Sequence, residues 1–324
     1  MYMVTGSPLA GRILDRVKHF LRSCGLDWDE AISFTAVLMD DEEIAATGSL
    51  DGGTIKCVAV APSHQGEDLT ARIMTALLQE AARLGREHLL LYTKPLNGHL
   101  FAPMGFHPVI RTAGCLLMEN RRGGLEHFLS EIEKRAQQPV GCIVANCDPF
   151  TLGHRYLIET AAKECAWVHV FILSEDRGMF DAAKRLEMAR AGLKDLGNVL
   201  VHPTGPYMVS SATFPTYFIK DKTQTDEVYC ELDLRLFIEK IVPALFVTRR
   251  YVGTEPACAV TAQYNRRMKQ LLPEYGVEVI ELERHCVSDQ IVSASHIRRL
   301  IRENRMDEIR PLLPESSLKM ILGQ

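Results

Sequence analysis

The chain has 324 residues, enough for two domains, with 47% hydrophobic and 24% charged residues and a formal net charge of −4. That balance offers no basic surface for nucleic acid or an anionic membrane, and no apolar run reaches the roughly 18 residues of a membrane span. Residues 1–25 include Asp15, Arg16, Lys18 and His19 and do not read as a signal peptide.

In chain order, Ser7-Pro8 reads as a helix start with Pro8 at the first helical position, and residues 9–21 keep helical spacing up to a stop at Gly25. Residues 31–39, 43–50 and 54–60 read as an antiparallel meander, turning at Asp40-Asp41 and Asp51-Gly52-Gly53. Val58-Ala59-Val60-Ala61-Pro62, then Gln65-Gly66-Glu67-Asp68-Leu69, is a strand, a loop and the start of a helix over 69–84. A strand over 89–93 and the turn Leu100-Phe101-Ala102-Pro103-Met104-Gly105-Phe106 follow. This stretch resembles the acetyl-CoA-binding segment of the N-acetyltransferase (GNAT) fold. The resemblance implies that Gln65, Gly66, Glu67 and Asp68 form the loop that receives a pyrophosphate or the arm of a CoA-like group.

Gly123-Gly124 breaks the chain after a strand over 114–118, and residues 125–136 read as a charged helical linker ended by Gln137-Gln138-Pro139. The expected organisation is a GNAT-like mixed α+β domain over 1–120, a linker over 121–139 and a second domain over 140–324. There, strands at 168–173, 199–202, 245–251 and 277–282 alternate with helices at 181–196, 232–241 and 259–272, and three short helices follow from His296. Alternation of this kind predicts a doubly wound parallel sheet, an α/β Rossmann-like domain with ligands at the carboxyl ends of its strands.

The chemistry concentrates in two loops. Residues 140–145 read as a buried strand that breaks at Asn146-Cys147-Asp148-Pro149-Phe150, followed by Thr151-Leu152-Gly153-His154 and a helix over 155–165. A strand, a tight loop and a helix N-terminus make an anion site, because free backbone N–H groups face the ligand. The distant stretch Val292-Ser293-Ala294-Ser295-His296-Ile297-Arg298 reads as a second such site, with Ser295 as the N-cap of a helix over 296–302 and Arg298 in its first turn. Two such loops suggest a polyphosphate held between two helix N-termini.

These loops resemble the H-x-G-H and I-S-x-S/T-x-x-R signatures of the nucleotidyltransferase superfamily, with Thr151 in place of the first histidine and Val292 in place of isoleucine. Together with Thr213-Phe214-Pro215-Thr216-Tyr217-Phe218 and Val252-Gly253-Thr254-Glu255-Pro256, they resemble one family in particular, citrate lyase ligase. One departure is Asp148, where asparagine is expected. The resemblance implies a C–S-bond-forming, AMP-forming ligase. ATP and acetate give acetyl-adenylate, and the acetyl group passes to the thiol of a CoA-like prosthetic group on the acyl carrier subunit of citrate lyase, releasing AMP and pyrophosphate.

His154, Thr151 and Arg298 are the expected catalytic residues, and Asn146, Asp148, Pro149, Phe150, Gly153, Ser293 and Ser295 line the nucleotide. Gly253, Thr254 and Glu255 approach the nucleoside, and Lys220 and Lys222 are further candidates for phosphate. No carboxylate cluster marks a protein-built metal cage, so no metal-ligand set is expected; Mg²⁺ is expected with the ATP phosphates. Nine cysteines, odd in number and without a C-x-x-C, read as reduced cytoplasmic thiols, and Cys147 as loop packing. His64, His99, His107 and His202 read as surface or packing residues, while Asp176 and Arg177 sit at a strand end where ligands bind.

Two other activities fit the motifs less closely: a dinucleotide-forming adenylyltransferase, and an acetyl-CoA-dependent acetyltransferase with a nucleotide-sensing domain. No nucleic-acid or membrane partner is expected.

Overall fold

The computed structural model describes residues 1–210, 213–255, 259–287 and 290–323. Its chain divides into two units: Met1–Leu125 with Phe214–Leu232, and Glu126–Thr213 with Asp233–Gln324. The division is therefore not a single cut near 120–139. Residues 214–232 leave the second unit and pack with the first.

The first unit is built on a seven-stranded sheet in the order β1-β2-β3-β4-β5-β7-β6. Its strands are β1 (Tyr2–Gly6), β2 (Phe34–Asp40), β3 (Glu43–Asp51), β4 (Thr54–Val60), β5 (Leu90–Thr93), β6 (His107–Arg111) and β7 (Leu116–Glu119). The expected meander is present as β2–β4. Edge strand β1 was not expected, and the first helix is Gly11–Ser23, which begins beyond Pro8. Only β4 and β5 pair in parallel, and only at Thr54↔Leu90 and Ile55↔Leu91. Beyond that register β4 leaves β5 and stays paired with β3 alone, with a local break at Cys57, whose φ is +55°. Helix Leu69–Arg83 buries Leu69, Ile73, Met74, Leu77 and Ala81 on one side, the 3.6-residue stripe a sheet-packing helix needs. Gly48 lies under that stripe: a Cβ there would stand 2.5 Å from Ile73 Cγ2. The unit is a GNAT-like mixed α+β fold.

The second unit holds a five-stranded sheet in the order β10-β9-β8-β11-β12, with every pairing parallel. The strands are β8 (Val140–Ala145), β9 (Trp167–Ile172), β10 (Val199–Pro203), β11 (Arg249–Gly253) and β12 (Glu278–Leu282). Val140, Ile143, Val168, Val170 and Phe171 are fully buried, as a sheet covered by helices on both faces requires. Strand order reverses between β8 and β11, and these two strands pair only at Arg249↔Gly141 and Arg250↔Cys142 before parting. That opens a crevice at their carboxyl ends, the place where doubly wound sheets bind ligands. The expected linker helix is shorter than its charge pattern suggested, Gly124–Ser130. Among the described residues no helix is long and apolar enough to cross a membrane.

Candidate functional site: two helix N-termini at the sheet's switch point

The loop after β8 is shaped from beneath by a group that the sequence did not single out. Arg185 is fully buried, and its guanidinium donates to Asn146 O at 2.7 Å, to Asn146 Oδ1, to Phe180 O at 3.1 Å and to Glu175 O. It belongs to helix Ala182–Leu193 and lies in the same apolar stripe as Met188, Ala189 and Leu193. A charge set into an apolar stripe was the legible signal. Cys147 above it is buried with φ +51°, and burial raises its thiol pKa, so it is loop packing and not a nucleophile.

Asp148 is 3% exposed and accepts from the backbone N–H groups of Met179 at 2.9 Å and Phe180 at 3.0 Å. Its Oδ2 also lies 3.6 Å from Arg298 Nη1. The carboxylate that stands where asparagine is expected is thus balanced by a cation and two amides. Phe150 is buried against Gly192, where a Cβ would come within 2.5 Å of its ring. It stacks on His154 with ring centroids 5.9 Å apart.

The helix after the loop begins at Leu152, three residues before the start read from sequence, with Thr151 as its N-cap. Thr151 and His154 close a capping box. His154 N–H donates to Thr151 Oγ1 at 3.3 Å, while Thr151 N–H points to His154 Nδ1 at 3.0 Å, with the Thr151 hydroxyl 2.9 Å from the same nitrogen. Nδ1 is therefore an acceptor, which places the ring proton on Nε2. Burial, and secondarily the nearby charge of Arg284, pull the His154 pKa from 6.5 down to about 4. At neutral pH this residue is an uncharged imidazole whose Nε2–H is free to donate. Thr151 is 2% exposed and its hydroxyl is engaged by His154, which holds the imidazole in place.

The second loop meets the first. Helix Ala294–Arg302 is capped by Ser293, two residues earlier than the Ser295 cap expected, because the backbone is already helical at Ala294. The Ser293 side chain makes no capping bond, which leaves its hydroxyl and the first N–H groups of the helix open. Arg298 Nη1 donates to Asp148 O at 2.5 Å, and its Nη2 donates to Ser295 Oγ at 3.1 Å. Gly153 is equally constrained: a Cβ there would lie 3.3 Å from Val292 O. The imidazole loop and the guanidinium loop form one site.

On the β11 side of the crevice, Gly253 O accepts from Asn265 Nδ2 at 3.0 Å, and Thr254 N–H donates to Leu282 O at 2.8 Å. Arg284 donates from Nε to Thr254 O at 2.8 Å and forms an ion pair with Glu255. Arg284 is the second group that sequence reading missed; it sits in a run of mixed charges that carries no pattern. Asp176 accepts from Ala182 N–H at 2.7 Å at a helix start. Lys220 belongs to the first unit, whereas both loops belong to the second. The side chain of Lys222, and Pro256, lie outside the described residues. Gln65, Gly66, Glu67 and Asp68 precede helix Leu69–Arg83 in the first unit, with Gly66 at φ +94° and Asp68 at φ +56°. Glu67 pairs with His64 at 3.2 Å.

The family model of the citrate lyase ligase C-terminal domain matches residues 140–321, which contain both loops. A [citrate [pro-3S]-lyase] ligase from Klebsiella pneumoniae is 37% identical over 95% of this chain and 92% of its own length. This chain belongs to the citrate lyase ligase family. A family member from Haemophilus influenzae is 40% identical over 95% of each chain. Among solved structures, an acyl-CoA N-acyltransferase from Pseudomonas aeruginosa is similar at 14% identity and a TM-score of 0.33, covering 37% of this chain and 100% of that one. Membership of the family makes this chain an enzyme, an ATP-dependent ligase.

Proposed function

We propose that this chain activates acetate with ATP and acetylates the thiol of a CoA-like prosthetic group on the acyl carrier subunit of citrate lyase. An acetate oxygen attacks the α-phosphorus, the bond from that phosphorus to the β-bridging oxygen breaks, and pyrophosphate leaves. The thiol sulfur then attacks the acetyl carbonyl, the thiol proton is lost to solvent, and AMP departs. The observation that carries this reading is the Arg298–Asp148 contact at 2.5 Å, which joins the two helix N-termini, one capped by Thr151 and one uncapped at Ser293, around one crevice.

In this site His154 Nε2–H donates to the phosphate oxygens that gain charge, and Arg298 and the N-terminus of helix Ala294–Arg302 neutralise the leaving pyrophosphate. The donors are fixed before substrate arrives, so little reorganisation accompanies the reaction. Gly253, Thr254 and Glu255 form the opposite wall of the crevice, for the nucleoside. Among the described residues no group of three His, Cys, Asp or Glu could hold a metal ion. Asp148 is committed to two amides and Arg298. Mg²⁺ enters with the nucleotide, bound to its phosphates as part of the substrate. None of the eight described cysteines forms a disulfide, which fits a reducing cytoplasm.

The deciding experiment is ATP–pyrophosphate exchange with a panel of short carboxylic acids and, separately, nicotinamide mononucleotide. Exchange that depends on acetate supports the reading. Exchange only with the mononucleotide makes the chain a dinucleotide-forming enzyme instead, and thiol acetylation from acetyl-CoA without ATP makes it an acetyltransferase.

A further inference from the structure

The loop that resembles a pyrophosphate cradle in the first unit is badly charged for that task. Glu67 and Asp68 sit directly before helix Leu69–Arg83, and His64, the adjacent cationic candidate, is paired to Glu67 at 3.2 Å. A phosphate placed there meets carboxylates at close range, which is unfavourable. Uncompensated positive charge lies elsewhere on the same unit.

Lys94 directly follows β5, at the end where β4 has already parted from it. Lys220 comes from the excursion 214–232, which is fastened across that end of β5. The Tyr217 hydroxyl donates to Tyr92 O at 2.5 Å, Tyr217 O accepts from Asp27 N–H at 2.8 Å, and Phe214 packs edge-on against Tyr92 with centroids 5.8 Å apart. Lys220 is one helical turn's spacing beyond Tyr217, and Lys94 is two residues beyond Tyr92, so the pinned contact draws both lysines to one place. Gly25, at φ +71°, makes room for the Lys220 stem: a Cβ there would stand 2.9 Å from Lys220 Cε. Neither ammonium has a carboxylate partner among the described residues. Burial, and then the charge of Lys220, lower the pKa of Lys94, as two uncompensated neighbouring ammoniums require.

We propose that Lys94 and Lys220 form a phosphate-receiving site on the first unit, which takes the phosphates of a CoA-like arm. The proposal rests on the reading of this unit as the receiver of that arm. Lys94 is half-buried and Lys220 exposed, and neighbouring cations without a counter-ion are relieved by an anion whose oxygens accept from both. Lys220 thereby keeps the phosphate contact expected of it from sequence, on a different phosphate.

The test titrates the full chain, without ATP, with coenzyme A, with pantetheine, which has no phosphate, and with inorganic phosphate. Lys94→Met and Lys220→Met are each expected to weaken coenzyme A binding by about tenfold and to leave pantetheine unchanged; a charge-assisted contact is of that size. Lys94→Arg and Lys220→Arg should restore most of the loss, and added salt should weaken coenzyme A more than pantetheine. The site is refuted if the wild type does not bind coenzyme A, if the double Met variant binds it as tightly as wild type, or if both ligands weaken together. Inorganic phosphate binding as tightly as coenzyme A overturns the arm as the source of the phosphate. Failure of the ligase reading shows separately, as absence of acetate-dependent exchange in the wild type.

Discussion

At the scale of single residues, the decisive feature is the protonation of His154. Its Nδ1 is held as an acceptor by Thr151, so a substitution must be judged by what it does to Nε2. His154→Ala removes the donor and is expected to slow acetate-dependent exchange by about 10²–10³-fold, the size of losing one preorganised donor. The same change breaks the capping box and costs about 1 kcal/mol of stability, visible as a small fall in Tm. Thr151→Val is expected to slow exchange less than His154→Ala, because the backbone N–H of residue 151 still reaches Nδ1 at 3.0 Å. Equal losses in the two variants would make the Thr151 hydroxyl itself a phosphate ligand.

The charge of Arg284 helps hold the His154 pKa near 4. Arg284→Gln removes a positive neighbour, so the His154 titration, followed by NMR, should move upward towards 6.5. No movement would place Arg284 too far away to matter. The sign for stability follows from the same depression. His154, His169 and His202 all have folded pKa values of about 4, each lowered chiefly by burial. Above about pH 6.5 these imidazoles are neutral in both folded and unfolded chains and add no pH dependence. As pH falls from 6.5 towards 4 the unfolded chain binds protons that the folded chain refuses, and stability is lost. His169 Nδ1 lies 3.1 Å from His202 Nε2, and its own Nε2 is buried without a partner, so protonation has nothing to receive it. Melting temperatures from pH 8 to pH 5 should fall below pH 6.5 and stay level above it.

At the scale of elements, the two loops are shaped by neighbours that recognise backbone, not substrate. Arg185 donates to three backbone carbonyls from inside the unit, those of Asn146 at 2.7 Å, Phe180 at 3.1 Å and Glu175. Arg185→Met keeps the apolar stripe of its helix but leaves those part-buried acceptors without their donor. The expected loss is about 3 kcal/mol, together with weaker ATP binding as the 146–150 loop loosens. Chemical denaturation alongside the KM for ATP checks both. An unchanged KM would show that the loop holds its shape without Arg185. Gly178 makes the complementary point: a Cβ there would lie 2.6 Å from Asp148 Oδ2.

The loops themselves were legible because strand, polar break and helix start follow one another in local sequence. Their supports were not: Arg185 acts 39 residues away from Asn146, and Arg284 depends on a strand-end neighbour. Cap positions also shifted, Thr151 for the first helix and Ser293 for the second, since several hydroxyls compete to cap and only tertiary packing chooses among them.

At the scale of the whole molecule, the alternating pattern was enough to anticipate a parallel sheet with its crevice at the strand ends. The path of the chain was not. The segment Thr213-Phe214-Pro215-Thr216-Tyr217-Phe218, which reads as part of the nucleotide domain, enters the first unit at Phe214. Its apolar residues are covered there: Phe214, Tyr217, Phe218 and Ile219 are 4%, 6%, 3% and 7% exposed. Val228 fills the space beside Gly114, whose absent Cβ would stand 2.8 Å from it. Nothing in the local pattern distinguishes an apolar segment buried under its own domain from one buried under the other.

The excursion decides how the two units can be separated by experiment. A chain lacking residues 1–120 keeps every residue of the two nucleotide loops but strips the cover from 214–232. Each large side chain uncovered forfeits about 1.5–3 kcal/mol of burial, and together they leave a contiguous apolar patch of the kind that drives association. The truncated chain is therefore expected to aggregate or to be cut by protease within 214–232, a region protected in the full chain. Removing 214–232 along with 1–120, with a flexible Gly/Ser linker in its place, should restore solubility and acetate-dependent exchange. The linker matters because Glu175 grips the departing chain, accepting from Ser210 N–H at 2.6 Å, and Asp233 grips its return through Tyr264. Both ends stay anchored in the second unit, and the linker must span only the gap between them. A simple 1–120 deletion that remains monodisperse and resists protease at 214–232 would show that this segment finds cover in the second unit on its own.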